Sequence, residues 1–132
     1  MKAAPQETIL VVEDDILIRM PISQYLRDCG YKVIEACNAE EAMAVLGHRD
    51  TVVDVVFTDI EMPGAVDGFG LAKWIRDRRA GTDIILTGTV PRSVAAARDL
   101  CEQNTLPKPY EAKIVHDQIR RLLAARTAAS KL

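Results

Sequence analysis

Short β-branched apolar runs alternate along the chain with stretches whose apolar positions recur at helical spacing. Ile9–Val12, Val33–Ile34 with its flanks, Val52–Phe57 and Ile84–Leu86 have strand length, and a shorter run surrounds Leu106. Between the first two runs, Ile16, Leu17, Met20 and Leu26 fit one helix face. Pro21 is expected to interrupt that helix, because proline removes a backbone donor. Ala39–Leu46 reads as a short helix capped by Asn38, and Phe69, Leu71, Ala72 and Ile75 share a third helix. Val94, Ala97 and Leu100 predict a fourth helix, with Pro91 in its first turn. From about Tyr110, Ile114, Val115, Ile119, Leu122 and Leu123 predict a last one. Five strands alternating with five helices predict an α/β fold. Its doubly wound parallel sheet would be covered on both faces and joined by right-handed crossovers. One domain is expected over 1–132, with a core of about 8–125 and loose ends at 1–7 and 127–132.

Composition narrows the function more than the fold. The chain has 132 residues, and its 27% charged content with a net charge of −2 offers no electrostatic reason for a nucleic-acid partner. No apolar run approaches the roughly 20 residues of a membrane span, and no signal-peptide pattern opens the chain, so a cytoplasmic protein away from membranes is expected. Cys29, Cys37 and Cys101 show no CxxC spacing, which favours reduced thiols over a disulfide framework or a zinc site.

In open α/β sheets, function gathers where strands end and the chain leaves for a helix. The expected strand ends carry Glu13-Asp14-Asp15, Asp59, Thr87-Gly88-Thr89 and Lys108-Pro109. If strands one and three are neighbours, Glu13, Asp14 and Asp59 meet, with Lys108 the nearby cation. Two carboxylates about 4 Å apart repel by roughly 1 kcal/mol in water and about 4 at an effective dielectric near 20. Lys108 offsets part of this, and a divalent cation offsets far more. An all-oxygen donor set without His or Cys favours a hard ion, Mg²⁺ over Ca²⁺, with Mn²⁺ as the substitute. Plainer roles suit other residues. Asp15 and Asp67 read as helix caps, His48 and His116 as ordinary loop and helix residues, and Arg76, Arg78 and Arg79 as a solvated helix end.

The motifs "ILVVEDD" (9–15), "FTDIEMPG" (57–64) with "DG" at 67–68, "LTGT" (86–89) and "PKPY" (107–110) together resemble the receiver domain of two-component response regulators. The resemblance covers about residues 8 to 125. It implies a flavodoxin-like sheet of strand order 2-1-3-4-5. It also implies that Asp59 is the phosphoacceptor, taking a phosphoryl group from a phosphohistidine on a sensor histidine kinase or a histidine phosphotransfer protein. Asp14 would be the direct metal ligand, Glu13 the second acid, and Glu61 would lend its backbone carbonyl. Thr87 would be the switch hydroxyl, Lys108 would pair with a phosphoryl oxygen, and Lys108-Pro109 would be cis. Such a protein is a signalling phosphoacceptor that catalyses only its own phosphoryl transfer and dephosphorylation, acting as a monomer or weak homodimer on a downstream protein. Three departures from the family pattern stand out: three residues between Pro63 and Asp67, Gly88 after the switch threonine, and Thr105 where an aromatic is usual. The "LTGT" and "KPY" versions resemble a stand-alone, single-domain type that lacks that aromatic. The alternatives are a receiver belonging to a hybrid histidine kinase, and a flavodoxin-like small-molecule-binding module. The second would need a phosphate-cradling loop where the acidic Glu13-Asp14-Asp15 stands.

Overall fold

A computed structural model of the chain describes residues 7–88, 105, 106 and 108–130. Strands β1 (Thr8–Val12), β2 (Lys32–Ala36), β3 (Val55–Asp59), β4 (Asp83–Thr87) and β5 (Thr105–Leu106) form one parallel sheet in the order β2-β1-β3-β4-β5. Helices α1 (Ile16–Asp28), α2 (Ala39–Leu46), α3 (Gly68–Arg78) and α4 (Ala112–Ser130) complete the described elements. The helix expected around 94–100, with Pro91, and Cys101 lie outside the described residues.

Period-two alternation divides the core between the two faces of the sheet. Ile9, Val11, Val55, Phe57 and Ile85 pack with Ile22 and Leu26 of α1 and Val115 and Ile119 of α4. Leu10, Val12 and Val56 pack with Ala39, Ala42 and Leu46 of α2 and Leu71 and Ile75 of α3. Burial on both faces is why β1 and β3 read as continuous apolar runs. Each of the first three helices begins on an acid or amide whose side chain accepts from a free amide of the first turn. Asp15 accepts from Leu17 N at 2.9 Å, Asn38 from Glu41 N at 2.8 Å, and Asp67 from Gly70 N at 2.9 Å.

Four expectations need correction. Of the apolar face assigned to α1, only Leu26 is buried. Ile16, Leu17 and Met20 are 50%, 80% and 57% exposed, while Ile22, Ser23 and Leu26 face the sheet. The helix carries two apolar stripes, and only the one in line with Leu26 meets β1 and α4. Pro21 does not interrupt α1, which runs on to Asp28. The carbonyl deprived of a donor is that of Leu17, on the exposed side where solvent can serve it. β3 begins at Val55 rather than Val52, and Val52 is 68% exposed. Asp54 turns the chain into the strand by accepting from Thr8 N at 2.8 Å. Finally, α4 starts at Ala112 and stays helical to Ser130, through residues expected to be loose, and Ile114 lies off its buried face at 44% exposure.

Candidate phosphoacceptor site

Register brings the strand-end residues together. Val12 pairs with Thr58 across β1 and β3, so Glu13 and Asp59 are the next residues out along neighbouring strands. Asp59 pairs with Thr87 across β3 and β4, and Thr87 with Leu106 across β4 and β5, two residues before Lys108. Lys108 Nζ donates to Glu13 Oε1 at 2.9 Å and to Asp59 Oδ2 at 3.0 Å. The Lys108-Pro109 peptide is cis. Glu13 and Asp59 are buried, at 4% and 6% exposure, and Asp14 is exposed beside them.

The electrostatics follow from that burial. Desolvation pushes the Glu13 carboxyl above the usual carboxylate range and the Asp59 charge adds to it, although the Lys108 and Asp15 hydrogen bonds pull the other way. Burial works against the Lys108 charge, but the hydrogen bonds to Glu13 and Asp59 outweigh it and hold the ammonium protonated. Tyr110 stacks edge-on against Phe57 at 5.3 Å; desolvation, with the Glu13 charge behind it, pushes its hydroxyl up to about 12. Two buried acids therefore share one lysine, leaving excess negative charge.

Ligand oxygens of Glu13, Asp14 and Asp59 lie within 4.8 Å of one another. Three carboxylates with no nitrogen or sulfur donor fit a hard divalent cation. The second relevant feature is Thr87. Its hydroxyl is buried and has no hydrogen-bond partner among the described residues, on the strand beside Asp59, where most buried polar atoms would be satisfied. Being opposite Asp59 in register, Thr87 projects from the same side of the sheet. Gly88 follows with φ +133°, and a Cβ there would lie 3.5 Å from Asp59 Oδ1. Glycine keeps that approach to the carboxylate open.

All the expected site residues sit at this one edge. Glu61 is exposed at the mouth, and its amide donates to Asp59 Oδ1 at 3.3 Å. Asp15 and Asp67 are caps, as expected. His116 is less ordinary than its sequence context suggests. Its ring lies 3.4 Å from Cys29 Sγ and 3.1 Å from the Tyr31 hydroxyl, away from the acid cluster. Arg19, passed over in the reading of strand ends, donates from Nη1 to the Glu13 carbonyl at 2.9 Å. Its only sequence signal is an arginine placed just inside the helix that follows the acid pair.

The family model for the response regulator receiver domain matches residues 9–120. The transcriptional regulatory protein PdtaR of Mycobacterium tuberculosis is 34% identical over 111 residues, covering 82% of this chain and 52% of that protein. The response regulator protein FleR of Pseudomonas aeruginosa is 34% identical over 116 residues, covering 86% of this chain and 24% of that one. The chain thus spans about half the length of PdtaR and about a quarter of FleR. Among solved structures, a receiver domain protein from Methanospirillum hungatei superposes with a TM-score of 0.85 at 22% identity, covering 95% of this chain and 99% of that one. TrrA of Thermotoga maritima, solved in complex with Mg²⁺ and BeF, superposes at 0.75 with 28% identity, covering 89% and 99%. The matched family model spans nearly the whole sheet and every strand end of the site, and this chain belongs to the response regulator receiver domain family of two-component signalling proteins.

Proposed function

We propose that Asp59 accepts a phosphoryl group from a phosphohistidine on a partner protein, with Mg²⁺ held by Glu13, Asp14, Asp59 and the Glu61 carbonyl. An Asp59 oxygen attacks phosphorus, the P–N bond to the donor imidazole breaks, and an acyl phosphate forms while the imidazole leaves and takes up a proton. Charge spread over the phosphoryl oxygens must be met by fixed cations and donors. Lys108, already within 3.0 Å of Asp59, supplies one. The Thr87 hydroxyl supplies another. The cation, when bound, neutralises the acids and the incoming oxygens. The observation that carries this reading is the buried Thr87 hydroxyl beside Asp59, without a partner among the described residues, because an incoming phosphoryl oxygen would satisfy it. On this reading the protein is a signalling phosphoacceptor of the cytoplasm rather than an enzyme acting on other substrates. Among the described residues, no helix is long and apolar enough to cross a membrane.

Acetyl phosphate with Mg²⁺ should label the wild type, and Asp59→Asn should abolish acid-stable, alkali-labile incorporation. Undiminished labelling of the variant would sink the assignment.

The exposed stripe of α1 supports a docking role in the same transfer. An apolar groove of about 660 Å³ runs between Leu17, Ile18, Pro21, Ile22 and Tyr25 of α1 and the Lys108–Ala112 segment. Lys108 borders both groove and acid cluster, so a partner seated here would lie next to Asp59. Full burial of a large apolar side chain would yield about 1.5–3 kcal/mol, a gain that Leu17 of the groove forgoes in the isolated chain. We assign the groove to a helix of the phosphohistidine donor. Leu17→Asp should then slow transfer from a phosphorylated donor at least tenfold while leaving acetyl phosphate labelling unchanged. Equal slowing of both routes would place the defect in the site instead.

A further inference from the structure

Arg19 lies early in α1 and has no part in the transfer described above. Its Nη1 donates to the Glu13 carbonyl at 2.9 Å and its Nε to Glu35 Oε1 at 3.0 Å. The other oxygen of Glu35 is ion-paired with Arg27 Nη2 at 3.1 Å, so the carboxylate behind Arg19 is itself held. The Arg19 side chain is only 16% exposed. On the opposite side of the same residue, Glu13 N donates to Ala36 O at 3.0 Å. Both backbone groups of Glu13 are therefore committed, one to β2 and one to Arg19. A trans peptide is planar, so fixing the Glu13 carbonyl also fixes where the chain delivers the Asp14 Cα.

We infer that Arg19 is a positioning residue for the acid pair. It pins the Glu13–Asp14 peptide so that both carboxylates are oriented toward the divalent cation before the ion arrives, with Glu35 and Arg27 keeping the guanidinium in register. The inference rests on the metal assignment proposed above. Preorganised ligands bind more tightly because less ordering remains to be done on binding. Charge alone predicts the opposite sign. A guanidinium beside an anionic site repels an incoming cation, so removing it would tighten binding.

That difference in sign makes the test decisive. Mg²⁺ is titrated calorimetrically into metal-free wild type, Arg19→Met, Arg19→Lys and Asp14→Asn, with melting curves recorded without metal. Arg19→Met keeps most of the aliphatic stem and loses every donor. It should weaken Mg²⁺ binding by about tenfold, the lower end of the 10–100-fold seen when groups orienting metal ligands are removed. Arg19→Lys keeps the charge and one reach to the Glu13 carbonyl but not the Nε bond to Glu35, and should recover to about threefold weaker than wild type. Arg19→Met binding as tightly as wild type, or more tightly, would overturn the inference. If Arg19→Met does not fold without metal, Arg19→Lys decides alone: weaker binding upholds the role and unchanged affinity refutes it. Asp14→Asn separates the two levels of the argument. Its loss of Mg²⁺ binding, alongside an unaffected Arg19→Met, removes only the role of Arg19; Mg²⁺ binding retained in Asp14→Asn overturns the metal assignment and this inference with it.

Discussion

Replacing Lys108 with methionine should lower the metal-free stability by about 3 kcal/mol and abolish phosphorylation. Lys108 is the common partner of Glu13 and Asp59, whose side chains are 5% and 8% exposed. Removing one member of a buried pair leaves the other charge uncompensated, at a typical cost of about 3–5 kcal/mol. The lower end applies because the Lys108 side chain is itself 28% exposed. For a chain of this size, roughly 10 °C of melting temperature would be lost. An exposed pair such as Lys113–Asp117, one helical turn apart and 75% and 34% exposed, should contribute only about 0.3–0.5 kcal/mol. The contrast between Lys108→Met and Lys113→Met is thus the measurement. Mg²⁺ should restore much of the loss in Lys108→Met, because it relieves the same repulsion. Equal melting temperatures for the two variants would show that the acids are neutralised without Lys108.

Gly68→Ala should be comparably damaging, although it adds a single methyl at the start of α3. A Cβ at Gly68 would run into the Asp59 carbonyl oxygen and stand 2.6 Å from the Ile60 Cα. Both are backbone atoms and cannot rotate aside. Gly68 N also donates to Ile60 O at 2.8 Å, which draws the helix start onto the end of β3. Relief would require the helix or the strand end to move, at about 1–3 kcal/mol or more for a forced overpacking. Because the strand end carries Asp59, phosphorylation should slow along with the loss of stability. By comparison, Gly81→Ala meets nothing within 4 Å among the described residues and should be nearly silent. A Gly68→Ala protein with wild-type stability and labelling rate would show that the α3 start is free to shift.

Much of the fold was legible because each layer of this architecture writes a separate signal into the sequence. Strands buried on both faces appear as β-branched runs, as in Ile9–Val12 and Val55–Phe57. Helix starts appear as Asn38 and Asp67, whose side chains must serve free amides. The candidate site was legible for a related reason. A parallel sheet collects its strand ends at one edge, so Glu13, Asp14, Asp59, Thr87 and Lys108 could be grouped before their distances were known. Charge sharpened the grouping, since three acids need a cation and only lysine and a metal were available.

Other features were settled only by tertiary contact. Helical periodicity cannot choose between two apolar stripes on α1, because Ile16, Leu17 and Met20 are as hydrophobic as the residues that face the sheet. The position of α4 and β1 makes that choice, burying the stripe of Leu26 and leaving the other to solvent. Nor does Pro21 announce a continuous helix; its missing hydrogen bond falls on the exposed side, where solvent replaces it. Arg19 and its partner Glu35 are 16 residues apart, and only β2 lying beside β1 brings Glu35 behind the arginine that reaches the Glu13 carbonyl. Sequence by itself determined which residue types would stand at the strand ends, because alternation and turn chemistry are local. Which surfaces remained open, and which side chains held the acids in place, depended on contacts between distant segments, and no local pattern encodes those.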